Sequence, residues 1–248
     1  MGTLIGSIFP NDFARRYSGT GQADYIRNPA NQYDTVGAMS FWFSVPVLLS
    51  SNGYIPMICF SHNGTPSGAY GKKITFSIRR NSGYGDTNNH FSWELSINGT
   101  ASTFRVPSLS ILASTWYHVL VCSDGSIYIN SVLVTSYLVS SFSSAWFIDI
   151  AGLGTDHDLC FGGILNNAGS LAVAGRCDLN EVIYLTSVPT STEVGLLYNG
   201  GTPPDPGLLP GTLQSKIIVY RDFENTLIPV IGSGTLTALG PPTYIAFP

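Results

Sequence analysis

Apolar and polar residues alternate with a period of two along most of this chain, which is the pattern of half-buried β-strands. The clearest pair of predicted strands consists of two β-prone runs, 116–122 and 126–130, on either side of Ser123-Asp124-Gly125. Asp-Gly between two β-prone runs is typical of a hairpin, because glycine adopts positive φ without a Cβ clash. We therefore expect a central hairpin over Trp116–Asn130.

The same alternation predicts roughly a dozen strands, separated by turn signals and prolines. Between residues 74 and 79, for example, Ile74, Phe76 and Ile78 fall on one face, and polar residues fall on the other. The further predicted strands lie at 25–26, 39–45, 54–61, 74–79, 91–97, 104–106, 132–134, 146–151, 159–161, 179–185 and 216–223. This succession of short strands favours an all-β sandwich or jelly roll.

One helix is predicted near residues 190–199. Thr190 and Glu193 have the spacing of a capping box, and Val194, Leu197 and Tyr198 fall on one helical face. The helix is expected to end at 199–201, Asn-Gly-Gly. Because it is short, tertiary packing must hold it in place.

We expect a single domain over residues 1–248, because residues 214–248 alone are too few to build their own core. Its predicted parts are an N-terminal arm at 1–16, a core at 17–201, a loop at 202–213, and closing strands with a C-terminal tail at 214–248.

Four segments carry a family resemblance, in the family's usual order along the chain. Residues 18–26, 38–43, 116–130 and 179–201 resemble characteristic sequence motifs of the laminin-G-like, concanavalin-A-like jelly-roll superfamily. The resemblance implies a concanavalin-A-like, laminin-G-type jelly-roll sandwich of two antiparallel sheets with one short helix. It implies no single function, because this fold hosts lectins, adhesion modules, enzymes and virion proteins.

Composition excludes several classes of function. Charged residues make up 10% of the chain and the net charge is −4, without the basic stripe that nucleic-acid binding needs. No apolar run reaches the ~18 residues of a membrane helix. The N-terminus lacks the pattern of a signal peptide, so we expect synthesis in a host cytoplasm and release by lysis or an unconventional route.

The four cysteines show no C-x-x-C spacing. Each lies in an apolar run, so we expect reduced, buried thiols. A bridge between Cys160 and Cys177 is the alternative. No cofactor is required by the sequence.

Calcium is a candidate ligand through the resemblance. In some relatives an ion is held by the opening loop and by an acidic pair, which here implies the Gly19 carbonyl, Asp24, Asn180 and Glu181. Asn180 stands where the family has Asp, which removes one of the charges that calcium favours. The alternative is that Glu181 is a structural carboxylate.

The sequence gives little support for an enzymatic activity, and we expect that the protein is not an enzyme. A jelly-roll glycoside hydrolase needs two carboxylates on one face of a strand. Glu94 stands alone in its strand, whereas Asp178 and Glu181 are three residues apart. His118 is expected to be a packed strand residue rather than a base.

Two long polar loops, at 62–72 and 81–90, are candidate glycan contacts, because binding residues concentrate in such loops. Tyr70 and Tyr84 could stack on sugar faces, and Asn88, Asn89 and His90 could bond sugar hydroxyls. Subunit contacts are the alternative role for these residues.

Two functional hypotheses follow. The first is a non-enzymatic virion structural protein, a capsid decoration, fibre or tail component. It would form a homo-oligomer or dock on a capsid or tail protein, and its lectin-like jelly roll would adhere to host-surface glycans. The alternative is a calcium-assisted carbohydrate-binding module of an extracellular protein, either secreted or attached to a cell surface.

Overall fold

The computed structural model describes residues 13–19, 21–27, 36–62, 73–81, 86–97, 100–105, 109–135, 138–139, 146–147, 157–165, 170–221, 237–240 and 243–246. Within these residues, two antiparallel sheets of eight strands each form a sandwich, and a two-stranded hairpin is added to it. In the described part of the chain, no helix has the length and hydropathy needed to cross a membrane.

The described residues form these strands, in chain order: β1 (Phe13–Ser18), β2 (Ala23–Arg27), β3 (Ala38–Ser44), β4 (Gly53–His62), β5 (Lys73–Asn81), β6 (Asp86–Ile97), β7 (Thr100–Arg105), β8 (Tyr117–Cys122), β9 (Ile127–Ile129), β10 (Val132–Leu133), β11 (Leu138–Val139), β12 (His157–Phe161), β13 (Gly163–Leu165), β14 (Leu171–Ala174), β15 (Arg176–Leu185), β16 (Ile217–Arg221), β17 (Thr237–Leu239) and β18 (Thr243–Ala246). The predicted hairpin is formed by β8 and β9, whose register pairs Val119 with Ile129.

Sheet A has the strand order β10-β9-β8-β3-β15-β1-β18, and β16 also pairs with β15. Along the long strand β15, β1 pairs with its first half and β16 with its second half. Sheet B has the order β11-β7-β6-β5-β4-β12-β2-β17, and β13 pairs with β14 in the small hairpin.

The main core lies between the two sheets. Sheet A contributes Phe41 and Phe43, and sheet B contributes Phe76, Phe91 and Trp93, all fully buried in one cluster. Burial of such side chains stabilises the fold by about 1.5–3 kcal/mol each. The predicted alternation holds, because Ile74, Phe76 and Ile78 all belong to this inner cluster.

Helix α1 (Ser191–Tyr198) covers part of the outer face of sheet A. Its residues Val194 and Leu197 pack with Leu120 and Ile183 of the sheet in a second apolar cluster. The capping box is present: Glu193 N–H donates to Thr190, and the Thr190 N–H donates to the Glu193 carboxylate at 2.7 Å. The two antiparallel sheets with this short helix confirm the predicted fold class.

The connection after α1 also has regular structure. Two 3₁₀ turns, Asn199–Gly201 and Pro206–Leu208, are followed by the one-turn helix α2 (Gly211–Gln214). Gln214 Nε2 donates to the carbonyls of Pro206, Gly207 and Leu209, which ties the segment together. The predicted loop at 202–213 therefore contains helical turns.

Two further predictions need correction. Strand β1 begins at Phe13 and pairs with β15 and β18, so residues 13–16 belong to sheet A rather than to an arm. Trp146 and Phe147, where a strand was expected, lie outside any strand but are fully buried in the main core. Trp146 Nε1 donates to the Tyr184 hydroxyl at 2.8 Å, and this hydrogen bond connects the segment to β15. Residues 148–151 lie outside the described residues.

All four cysteines are buried, free thiols. The alternative Cys160–Cys177 bridge is not formed. Cys177 contributes to the core between the sheets, whereas Cys160 belongs to a separate apolar cluster on sheet B.

Candidate functional site

The two predicted glycan loops adjoin opposite ends of β5, although residues 86–90 of the second loop belong to strand β6. The loop before β5 ends at Lys73, and the loop after β5 begins beyond Asn81. Nine residues of extended strand separate them, a span of about 27 Å. Tyr70 and Tyr84 themselves lie outside the described residues, so their predicted stacking on sugars stays a prediction.

The three polar residues predicted to bind glycan have different environments. Asn88 is exposed, whereas Asn89 and His90 are buried. The Asn89 amide accepts from the Leu49 N–H at 2.9 Å and donates to the Leu49 carbonyl at 3.0 Å. Asn89 therefore fixes the connection between β3 and β4, and its amide is bonded within the protein.

A polar stripe crosses the outer face of sheet B on three neighbouring strands. We define the outer-face stripe as Tyr54 of β4, Ser77 and Arg79 of β5, and Ser92 and Glu94 of β6. Register pairs Tyr54 with Arg79 and Ser77 with Ser92. Because successive side chains of a strand point to opposite faces, and the intervening residues fill the main core, these five point outward.

Charge in the stripe is concentrated around Glu94. Arg79 Nη2 donates to Glu94 Oε2, and Lys73 Nζ lies 3.2 Å from Glu94 Oε1. The Arg79 guanidinium also lies over the Tyr54 ring, 5.5 Å from its centroid. One carboxylate is thus held between two cations, beside an aromatic face that is partly exposed.

Three hydrogen-bond donors in the stripe have no protein partner: Ser77 Oγ, Ser92 Oγ and Arg79 Nε. Arg79 reaches Glu94, which lies four residues further along the ladder, so its side chain passes over the Ser77–Ser92 pair midway between them. A buried donor without an acceptor costs about 1–3 kcal/mol. An acceptor-rich ligand bound here would remove that cost.

The predicted calcium residues have other partners. Arg15 Nε and Nη2 each donate to the Asp24 carboxylate at 2.7 Å, and the Tyr17 hydroxyl donates at 2.8 Å. The charge of Asp24 is therefore already neutralised inside the protein, and calcium would have to displace Arg15. Among the residues that the structure describes, no group of three or more His, Cys, Asp or Glu side chains could hold a metal ion.

Gly19 and Glu181 have left-handed backbone conformations, and Asn180 contacts one of them. Gly19 follows β1 with φ of +80°. Glu181 sits at a bulge of β15 with φ of +47°, and its N–H donates to Asn180 Oδ1 at 2.9 Å. Both side chains of this pair are fully buried. Positive φ at a non-glycine residue is strained, and the Asn180 contact helps to hold it.

His118 lies on the outer face of sheet A, where it is buried and therefore does not act as an accessible base. Its Nε2 forms a 2.7 Å hydrogen bond with Ser40 Oγ, and its ring lies against Trp42. Complete burial lowers the pKa of His118 to about 3, so the imidazole is neutral. The structure thus gives it the packed role expected from the sequence.

The outer-face stripe could not be predicted from the sequence. The alternation at 74–79 placed Ser77 and Arg79 on a polar face, but only the strand register brings Tyr54 and Glu94 beside them. In the sequence Glu94 is the only carboxylate of the run 91–97, and the cations that pair with it come from another strand.

No family model matches this chain, and no curated protein matches it. Among solved structures, full-length tailspike protein 2 from an Escherichia coli O157:H7 bacteriophage is similar, with 12% identity over 89% of this chain and a TM-score of 0.52. The enzymatically active domain of bacteriophage CBA120 tailspike protein 2 gives 14% identity over 82% of the chain and a TM-score of 0.51. The NanB sialidase of Streptococcus pneumoniae, as its K499G mutant, gives 14% identity over 80% of the chain and a TM-score of 0.50.

This chain covers 31%, 28% and 29% of those three structures, respectively. It therefore spans less than one third of the length of each. At such low identities the likeness establishes the shared β-sandwich fold.

Proposed function

We propose that this chain is a non-enzymatic structural component of a virion, of the fibre or tail type, whose lectin-like sandwich attaches to host-surface glycans. The observation that carries the glycan part is the outer-face stripe with its three donors that lack a protein partner. Support for the virion part is the fold shared with a phage tailspike over most of this chain.

The stripe has the chemistry that a sugar requires. A sugar ring presents an apolar face and a rim of hydroxyl groups, so it binds aromatic rings beside a few placed polar groups. Tyr54 offers the ring, while Arg79 and Glu94 offer donors and acceptors next to it. Ligand oxygens would accept from Arg79 Nε and from the serine hydroxyls after a small movement of the Arg79 side chain.

The charge pairing favours binding over hydrolysis. Glycoside hydrolysis needs two carboxyl groups roughly 5–9.5 Å apart, one acting as an acid. Glu94 is paired with Lys73 and Arg79, Asp24 with Arg15, and Asp178 with Arg16. These three carboxylates are thereby engaged as partners of cations. The occupied Asp24 likewise favours a calcium-independent protein over the calcium-assisted alternative.

The glycan part is tested on an array, followed by titration calorimetry with the best ligand, with and without a chelator. We expect Tyr54→Ala to weaken binding at least ten-fold, about 1.4 kcal/mol, because the stacking face is removed. The control Leu208→Ala, at an 84% exposed position beyond α1, should bind as the parent protein does. Chelation should change nothing.

Retained binding in both Tyr54→Ala and Arg79→Gln, with melting temperatures showing that each variant is folded, would move the site elsewhere. Glycan cleavage seen by mass spectrometry and lost in Glu94→Gln would replace adhesion by hydrolysis. For the assembly part, light scattering should show a defined oligomer, or the chain should co-sediment with virions. A monomer that binds no virion would overturn that part.

A further inference from the structure

Two of the four free cysteines face each other directly across neighbouring strands of sheet B. The antiparallel register of β12 and β4 places Cys160 opposite Cys59. Both side chains are buried, and both belong to the same small apolar cluster. The other two cysteines lie elsewhere: Cys177 contributes to the main core, and Cys122 to the cluster beneath α1.

The strand register brings this pair within the distance range of a disulfide bond. Directly opposite residues of an antiparallel pair have Cα atoms about 4.5 or 5.5 Å apart, depending on the hydrogen-bonding position. Both values fall within the ~4.4–6.8 Å range of disulfides. Opposite residues also project from the same face, so the two side chains lie on the same side of sheet B.

The present partners of the two thiols are weak. Thr75 Oγ1 lies 3.5 Å from Cys59 Sγ, and Cys160 Sγ lies 3.9 Å from the Phe161 carbonyl. Little is lost when either sulfur turns toward the other.

We propose that Cys59 and Cys160 form a latent cross-strand disulfide, which closes when the protein meets a low-molecular-weight disulfide oxidant. This inference stands apart from the proposed glycan binding. A virion component would meet such conditions on leaving the reducing cytoplasm.

The β13–β14 hairpin packs against the pair. Ile164 and Leu165 of β13, with Leu171 and Val173 of β14, pack in the same cluster as the two cysteines. Burial raises the pKa of both thiols, which disfavours the reactive thiolate. The bond should therefore form slowly in the folded protein, at a rate set by local opening of this hairpin.

The chemistry balances with oxidised glutathione as the oxidant. One cysteine thiolate attacks a glutathione sulfur, which forms a mixed disulfide and releases the first glutathione thiolate. The second cysteine thiolate then attacks the protein sulfur of that mixed disulfide and releases the second glutathione. The protein loses two electrons to the oxidant, and the two thiol protons end on the two reduced glutathiones.

The test is incubation of the purified full chain with oxidised glutathione over a series of sub-denaturing urea concentrations. Intact mass should show the loss of two hydrogen atoms without a retained adduct. Peptide mapping without reduction should link Cys59 to Cys160, and the oxidised form should have a higher melting temperature. Closure should accelerate with urea, as the hairpin opens more often.

Two variants separate this pair from the other thiols. Cys59→Ala should leave a stable glutathione adduct on Cys160, because the resolving thiol is gone, whereas Cys177→Ala should still form the linkage. The proposal is overturned if the parent protein retains glutathione adducts, links either cysteine to Cys122 or Cys177, or keeps all its thiols throughout the urea series.

Discussion

A neutral histidine buried beside a serine is the residue-scale feature with the clearest consequence for stability. His118 has no exposed surface, and its ring contacts both Trp42 and Tyr198. From sequence it could be predicted as a packed strand residue, because it lies within an alternating run. Its partner Ser40 could not, since the contact depends on the register between β3 and β8.

The first prediction concerns pH. The pKa of His118, about 3 in the folded protein, lies below the ordinary value of 6.5. As the pH falls from 6.5 toward 3, His118 binds a proton in the unfolded chain but not in the folded protein. The free energy of unfolding therefore decreases by up to about 1.4 kcal/mol per pH unit. His118→Gln should lack this decrease, measured by urea unfolding at a series of pH values.

Ser40→Ala is the matched control for that series. It removes the hydrogen bond but leaves the imidazole buried, so it should lower stability at every pH and keep the slope. An unchanged slope in His118→Gln would show that another group causes the acid sensitivity.

At the scale of elements, α1 shows what sequence can and cannot predict. The capping box was predictable, because Thr190 and Glu193 are close in sequence and follow a known spacing. The second partner of Glu193 was not: Lys216 Nζ lies 2.7 Å from its carboxylate but comes from the segment that leads into β16. Although burial opposes it, the bonds from Lys216 and Thr190 lower the pKa of Glu193.

Strand β1 was not predicted from the sequence, for a related reason. Arg15 and Arg16 interrupt the apolar alternation, so the segment resembles a polar arm. Arg15 points inward only because Asp24 on β2 neutralises it. The outer-face stripe is the same case on a larger scale, since its residues come from three strands whose register no local pattern reveals.

The second prediction tests the helix cap. Thr190→Ala should lower the free energy of unfolding by about 1 kcal/mol, because the Glu193 N–H loses its acceptor. Thr190→Ser, which keeps the hydroxyl, should stay within about 0.5 kcal/mol of the parent protein. Urea unfolding measures both. Equal losses in the two variants would indicate that packing of the Thr190 methyl group, rather than capping, matters.

At the scale of the whole molecule, a buried ion pair joins the two sheets. Arg15 lies in sheet A and Asp24 in sheet B, and the pair is almost completely buried, with 1% and 0% of its side chains exposed. The sandwich itself could be predicted from period-two alternation and turn spacing. This polar link could not, because it depends on how the two sheets are stacked.

The third prediction follows from that link. Asp24→Asn should destabilise the protein by about 3–5 kcal/mol, because the Arg15 charge stays buried without its counter-ion. The double variant Arg15→Met, Asp24→Leu should recover much of that loss. Asp178→Asn is the control, because its partner Arg16 is 38% exposed and water can solvate it, so the loss should be smaller.

Thermal unfolding of the four proteins gives the comparison. If Asp24→Asn were no more costly than Asp178→Asn, the link between the sheets would contribute no more than this partly exposed ion pair.

The pairing of β1 with β18 has a mechanical consequence. Phe13 lies directly opposite Ala246, so the two ends of the described chain meet at one end of the same antiparallel ladder. A force that pulls these two points apart acts along the inter-strand hydrogen bonds and breaks them one after another. The sandwich should therefore yield by peeling of β18 at low force when loaded through these ends. It should resist more strongly when loaded along its strands, which would shear many hydrogen bonds at once.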